Sequence, residues 1–232
     1  MGKSSYPQGS DGVGAGGGLW SFAARATAML IVFLARLVTG VQANWIGTRP
    51  DPCRRVYFAN HTSHGDFVLI WTVLPPALRD RTRPVSGADY WQTSALRRFI
   101  GTDVFRAVLI ERNRGAVRGD PIGQMAATLD AGDSLILFPE GTRNMSDEPL
   151  LPFKSGLFRL ATARPEIEMV PVWIDNISRV MPKGELLPIP ILCGVTFGTP
   201  LTLSPDEEKS EFLDRARDAL LALAPHYGED NV

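Results

Sequence analysis

Apolar positions in this chain come in short runs broken by polar turns, and the period of those runs changes repeatedly. Val56-Tyr57-Phe58-Ala59 is an unbroken apolar run of strand length. Asp66 to Leu74 follows a helical period and stops at Pro75-Pro76, which cannot continue a helix. Tyr90 to Ile100 reads as helix, Val104 to Ile110 as strand, and Pro121 to Leu129 as helix. Ser134 to Phe138 reads as strand, Lys154 to Ala163 as helix, Met169 to Ile174 as a buried strand and Cys193 to Phe197 as another. A last helix is expected from Ser204, with Pro205 in its first turn and Glu207 completing a capping box. Phe212, Leu213, Ala216, Leu220 and Leu223 would form its apolar stripe. Alternation of strand and helix predicts an α/β fold: one domain over residues 49–232, a mixed sheet flanked by helices.

Two N-terminal segments stand apart. Residues 1–18 are Gly/Ser-rich without apolar period and read as a disordered tail. Residues 19–48 are apolar but carry Arg25 and Arg36, with only ten uncharged residues between them. A bilayer crossing needs about 20 apolar residues, and Arg36 near the middle would cost roughly 2.5–3.5 kcal/mol. The two arginines, 11 positions apart, share one helical stripe, and Trp20, Phe22, Phe33 and Trp45 are of the interfacial type. The reading is a membrane-associating helix lying in the bilayer surface, with a single span or a soluble core helix as alternatives.

With 44% apolar and 21% charged residues in 232, the chain can bury a sizeable core without metal or disulfide staples. Cys53 and Cys193 lie far apart and only three histidines are present, which argues against a zinc site or a secreted disulfide framework. The net charge of −1 conceals an imbalance: residues 1–120 carry 15 Lys+Arg against 8 Asp+Glu, and residues 121–232 carry 9 against 17. That split points to one edge that meets phosphate, acidic lipid or an acidic carrier, not to a nucleic-acid binder.

Candidate chemistry clusters at strand ends. Asn60-His61-Thr62-Ser63-His64-Gly65-Asp66 follows the first strand. His61 and Asp66 have the spacing of a base and its orienting carboxylate, although Ser63 and Asp66 also fit a capping box and His64 is a second candidate base. Leu135 to Phe138 runs into Pro139-Glu140-Gly141-Thr142-Arg143 at the C-terminal end of a strand, where α/β sheets bind ligands. There Arg143 offers a planar fork for phosphate, Glu140 an acceptor for a hydroxyl, and Gly141 close approach of backbone amides. Arg112 ends another strand, and Lys154 stands at a helix start suited to anions.

Together these blocks resemble the lysophosphatidic acid acyltransferase family of glycerolipid acyltransferases, over roughly residues 50–200. His61 and Asp66 match its N-H-x-S-x-x-D block and Phe138 to Arg143 its F-P-E-G-T-R block. Phe153, Lys154 and Gly156 match F-K-x-G, and Val170 to Ile174 the late V-P-V block. The resemblance implies transfer of a fatty acyl group from acyl-CoA or acyl carrier protein to a lysophospholipid hydroxyl, foremost 1-acylglycerol 3-phosphate, giving phosphatidic acid. It implies His61 as general base held by Asp66; Arg143 and Arg112 toward the acceptor phosphate; Glu140 toward a glycerol hydroxyl; and Gly141, Thr142 and Lys154 as further substrate-binding residues. It also implies no metal, no resident cofactor and a site at the cytoplasmic face of a membrane. Two departures stand out: Arg106 lies near a position the family usually gives to Gly, and Ser86-Gly87-Ala88-Asp89 lacks a basic residue common there. Glycerol 3-phosphate or an amino-acid lysolipid as acceptor, or a non-catalytic lipid-binding role, are the competing readings.

Overall fold

The computed structural model describes residues 16–111, 119–175 and 192–225. Seven strands form one mixed sheet in the order β1-β7-β6-β2-β5-β3-β4. They are β1 (Gln42–Trp45), β2 (Arg55–Ala59), β3 (Thr82–Gly87), β4 (Val108–Ile110), β5 (Ser134–Leu137), β6 (Glu168–Asp175) and β7 (Gly194–Phe197). β2 to β6 run parallel; β7 is antiparallel to β6, and β1 pairs parallel with β7 at the edge. All five residues of β2 are buried: Val56 to Ala59 as an apolar run between two neighbours in a covered sheet should be, and Arg55 through its pairing with Glu168 (2.7 Å).

The two sheet faces carry separate cores because side chains alternate along each strand. Tyr57 and Ala59 face a layer made by α1 (Gly16–Thr39), α2 (Asp66–Val73) and the π-helical turn Ile100–Val104. Val56 and Phe58 face α6 (Pro121–Asp130), α7 (Gly156–Ala163) and α8 (Lys209–Leu221). The short helices α3 (Pro76–Arg79), α4 (Ala88–Trp91) and α5 (Ala95–Phe99) join α2, β3 and the π-turn.

Several elements depart from the sequence reading, each for a local reason. The expected helix over 19–48 ends at Thr39, because Gly40 turns the chain at φ +52° and residues 42–45 join the sheet as β1. β3 was not expected: Pro84 and Gly87 flank its single aliphatic residue, Val85, and β5 and β4 on either side impose the strand. The helix expected over Tyr90–Ile100 is broken, since the Ser94 hydroxyl accepts from the Arg97 N–H (3.2 Å) and starts α5 afresh. Val104 belongs to the π-turn, and Arg106 at φ +51° delays β4 to Val108. Asp206 at φ +62° interrupts the last helix, so the capping box is Glu208 with Glu211 instead of Ser204 with Glu207. The predicted stripe survives, with Phe212, Ala216 and Leu220 buried.

α1 packs one face against the domain through Ala24, Ala28, Ile31, Val32 and Val38. Its opposite face exposes Phe22, Met29, Leu30, Phe33 and Leu37, while Trp20, on the packed side near the start of the helix, is also exposed and meets Phe99. The stretch Gly18–Thr39 has mean hydropathy 1.7 and is long and apolar enough to cross a membrane.

Candidate active site

The C-terminal ends of β2 and β5 lie side by side, and the two loops leaving them build the site. Asn60 follows β2 with its side-chain amide locked to Ile174 of β6: Nδ2 donates to the carbonyl (3.0 Å) and Oδ1 accepts from the N–H (2.8 Å). His61 therefore leaves the sheet at a fixed point. Its Nδ1 lies 2.8 Å from Asp66 Oδ2, which also accepts from the N–H groups of Thr62 (2.7 Å) and Ser63 (2.9 Å). Asp66 is fully buried at the first position of α2, so the carboxylate both folds the turn and holds the imidazole. An acceptor-only carboxylate makes Nδ1 the protonated nitrogen, leaving Nε2 with its lone pair free to take a proton. Phe138 stacks on the ring at 4.2 Å between centroids and fixes its plane.

The β5 loop grips His61 from the other side. Asn144 N–H donates to the His61 carbonyl (2.6 Å), and Glu140 Oε1 accepts from the His61 N–H (2.9 Å). Glu140 Oε2 accepts from Leu151 N–H (2.8 Å), and the residue is 2% exposed. Burial raises its pKa, while the two backbone donors and His61 oppose the rise. Glu140 is thus a brace beneath the histidine turn, which corrects the expectation that it meets a substrate hydroxyl: both its oxygens are engaged by backbone, and it does not line the cleft.

That cleft has a volume of about 570 Å³. Its mouth carries His61, His64, Asp89, Thr142, Arg143 and Lys154; its inner wall is apolar, with Val85, Ile110, Ile122, Met125, Leu137 and Leu157. Gly141 turns at φ +69°, and a Cβ there would lie 2.6 Å from Lys154 Cε, so the bare backbone lets the lysine stem lie against the loop. His64 is stacked on Tyr90 (5.3 Å); partial burial, then Arg143 and His61, lower its pKa against the opposing charge of Asp66. The sequence signals brought together in the cleft are His61, Gly141, Thr142, Arg143 and Lys154, with Asp66 directly behind His61. Arg112 lies outside the described residues. Sequence reasoning missed Asn60 and Asn144 as braces; each sits beside a chemically loud neighbour, and only the tertiary pairing assigns its amide.

A family model described as Acyltransferase matches residues 48–175, more than half of the chain. The chain belongs to the acyltransferase family. Its relatives include the mouse 1-acyl-sn-glycerol-3-phosphate acyltransferase alpha, 27% identical over 88% of this chain and 70% of that protein. The coconut 1-acyl-sn-glycerol-3-phosphate acyltransferase is 27% identical over 74% of this chain and 56% of its own. A lyso-ornithine lipid O-acyltransferase of Brucella abortus is 28% identical over 56% of this chain and 45% of its own. Among solved structures, the 1-acyl-sn-glycerophosphate (LPA) acyltransferase PlsC from Thermotoga maritima superposes with a TM-score of 0.65. It is 19% identical and covers 89% of this chain and 86% of its own, a likeness of fold. Within this acyltransferase, the two departures noted in the sequence have structural counterparts. Arg106 holds the left-handed backbone that a glycine would adopt without strain, and its guanidinium lies 3.6 Å from the buried carboxylate of Asp133. At residues 86–89 the cleft receives the carboxylate of Asp89 in place of a cation.

Proposed function

We propose that this acyltransferase moves a fatty acyl group from acyl-CoA or acyl carrier protein to the free hydroxyl of a lysophospholipid, with 1-acylglycerol 3-phosphate as the acceptor. The observation that carries the reading is the 2.8 Å His61–Asp66 pair opening into a cleft with a cationic mouth and an apolar interior. His61 Nε2 would take the hydroxyl proton as that oxygen attacks the thioester carbonyl; Asp66 stabilises the imidazolium. Collapse of the tetrahedral intermediate expels the thiolate, which receives the proton from His61. Arg143 and Thr142 face the acceptor phosphate, and the apolar wall takes the acyl chain. None of these steps needs a metal or a resident organic cofactor.

The helix α1 supports a site at the membrane surface. Because one of its faces packs along the domain, α1 cannot cross a bilayer without drawing the domain in, so its outer face lies in the interface plane. A second acceptor class has one observation in its favour. Asp89 is exposed in the cleft and has no ion-pair partner among the described residues, which suits a head group bearing an ammonium, as in the lipid named for the Brucella relative.

Incubating the purified protein with an acyl thioester and a panel of lysophosphatidate, glycerol 3-phosphate and amino-acid lysolipids tests both readings. Product from none of them would end the proposal. His61→Ala should lower turnover by at least about 10²–10³-fold, and His64→Ala far less; the reverse order would move the base to His64.

A further inference from the structure

We propose that α5 is a second lipid-contacting element, carrying the apolar face of α1 onward to the mouth of the cleft so that the acceptor reaches His61 without leaving the membrane plane. This rests on the reading of α1 as a surface helix.

α5 buries none of its residues, and Leu96 is 66% exposed. One exposed leucine is ordinary; its position is what matters. Phe99, three residues on and on the same helical side, meets the ring of Trp20 from α1 at 5.9 Å. Trp20 lies on the domain-facing side of α1 yet is 66% exposed, and Leu19 and Phe22 beside it are exposed too, so Leu96 and Phe99 adjoin the exposed apolar surface at the start of α1. The π-turn that follows α5 packs against α1 and fixes the two helices to one another.

From α5 the contacts lead inward. The Arg97 guanidinium lies over the Tyr90 ring at 4.9 Å, Tyr90 stacks on His64 at 5.3 Å, and His64 lines the cleft beside His61. Arg97 and Arg98 are exposed and have no acidic partner among the described residues, which leaves two cations for lipid phosphates next to the apolar stripe. The occupant that fits an apolar stripe bordered by unpaired arginines and continuous with a surface helix is a lipid bilayer. The benefit is direct: moving a single-chain acceptor through water would expose its methylenes, and an apolar path avoids that exposure.

The test uses the full chain in a Cys53→Ser background, since Cys53 is exposed and Cys193 is buried. Single cysteines are introduced by Leu96→Cys, Phe33→Cys on the outer face of α1, or Asp214→Cys on α8 across the sheet, and labelled with an environment-sensitive fluorophore. Vesicles of phosphatidylcholine with an anionic phospholipid should blue-shift the label at 33 and at 96 but not at 214. A shift at 33 with none at 96 overturns the proposal and leaves the surface helix standing; no shift at either overturns both. A shift at 96 on concentrating the protein without vesicles would assign the face to a second copy and overturn it too. In parallel, Leu96→Ser should raise the KM for a bilayer-borne acceptor several-fold while leaving turnover of a water-soluble short-chain acceptor unchanged.

Discussion

Glu140 shows how a residue at the centre of a chemical motif can act through backbone alone. Its carboxylate joins His61 N–H to Leu151 N–H from a position shut off from solvent, so its two bonds set where the imidazole starts. Glu140→Gln keeps the shape but turns one acceptor into a donor facing an N–H. Stability should fall by about 1–3 kcal/mol, the cost of a buried unsatisfied group. Turnover should fall while the KM for the acceptor stays near the wild-type value, and denaturant titration with steady-state kinetics checks both. A large rise in KM alone would restore a substrate contact. His64 gives a prediction of a different kind. Burial, Arg143 and His61 lower its pKa, so the folded protein binds a proton there less readily than the unfolded chain does. The associated stability is complete above the ordinary value of 6.5 and is lost as pH falls through the lower folded value. His64→Gln should therefore shrink the drop in Tm between about pH 7.5 and pH 5.5; an unchanged drop would show that other groups govern it.

At the scale of elements, the loops matter more than the strands they leave. Gly141 is held left-handed against the stem of Lys154, so Gly141→Ala combines backbone strain of about 1–2 kcal/mol with a clash that pushes the lysine away. The variant should melt earlier and lose activity on phosphate-bearing acceptors before it loses activity on neutral ones, a comparison that kinetics with paired acceptors can make. Sequence pattern found β2, β5 and β6 by apolar runs long enough to need cover on both faces, and also reached β7 and, with its start misplaced, β4. β1 and β3 escaped notice because their residues (Gln42, Asn44, Pro84, Gly87) have little strand preference and take their conformation from neighbours. The site was legible in the same uneven way. His61, Asp66 and Arg143 stand out because few residue types do their chemistry, whereas the bracing role of Glu140 became visible only once the 60s and 140s loops met across the sheet.

On the scale of the whole molecule, the charge split of the sequence does not resolve into one basic face among the described residues. Arg81, Arg83 and Arg106 converge on the buried carboxylate of Asp133, Arg55 pairs with Glu168, and Arg36 donates to the Thr72 carbonyl at the end of α2 (3.4 Å). Much of the N-terminal positive charge thus binds the domain together, while the cleft mouth and α5 each present cations with no acidic partner among the described residues.

The junction between α1 and the sheet has a practical side. β1 follows α1 after a single turn, pairs with β7 over Gln42–Trp45, and stacks Trp45 on Phe197 at 3.9 Å. A detergent-free preparation that trims the protein at residue 48 would strip this strand and leave β7 as a raw edge inviting self-association. Trimming at residue 40 keeps the edge closed. Light scattering of the two truncated proteins in one buffer should find the shorter deletion the more monodisperse; equal aggregation would mean that the uncovered face beneath α1, not the sheet edge, governs solubility.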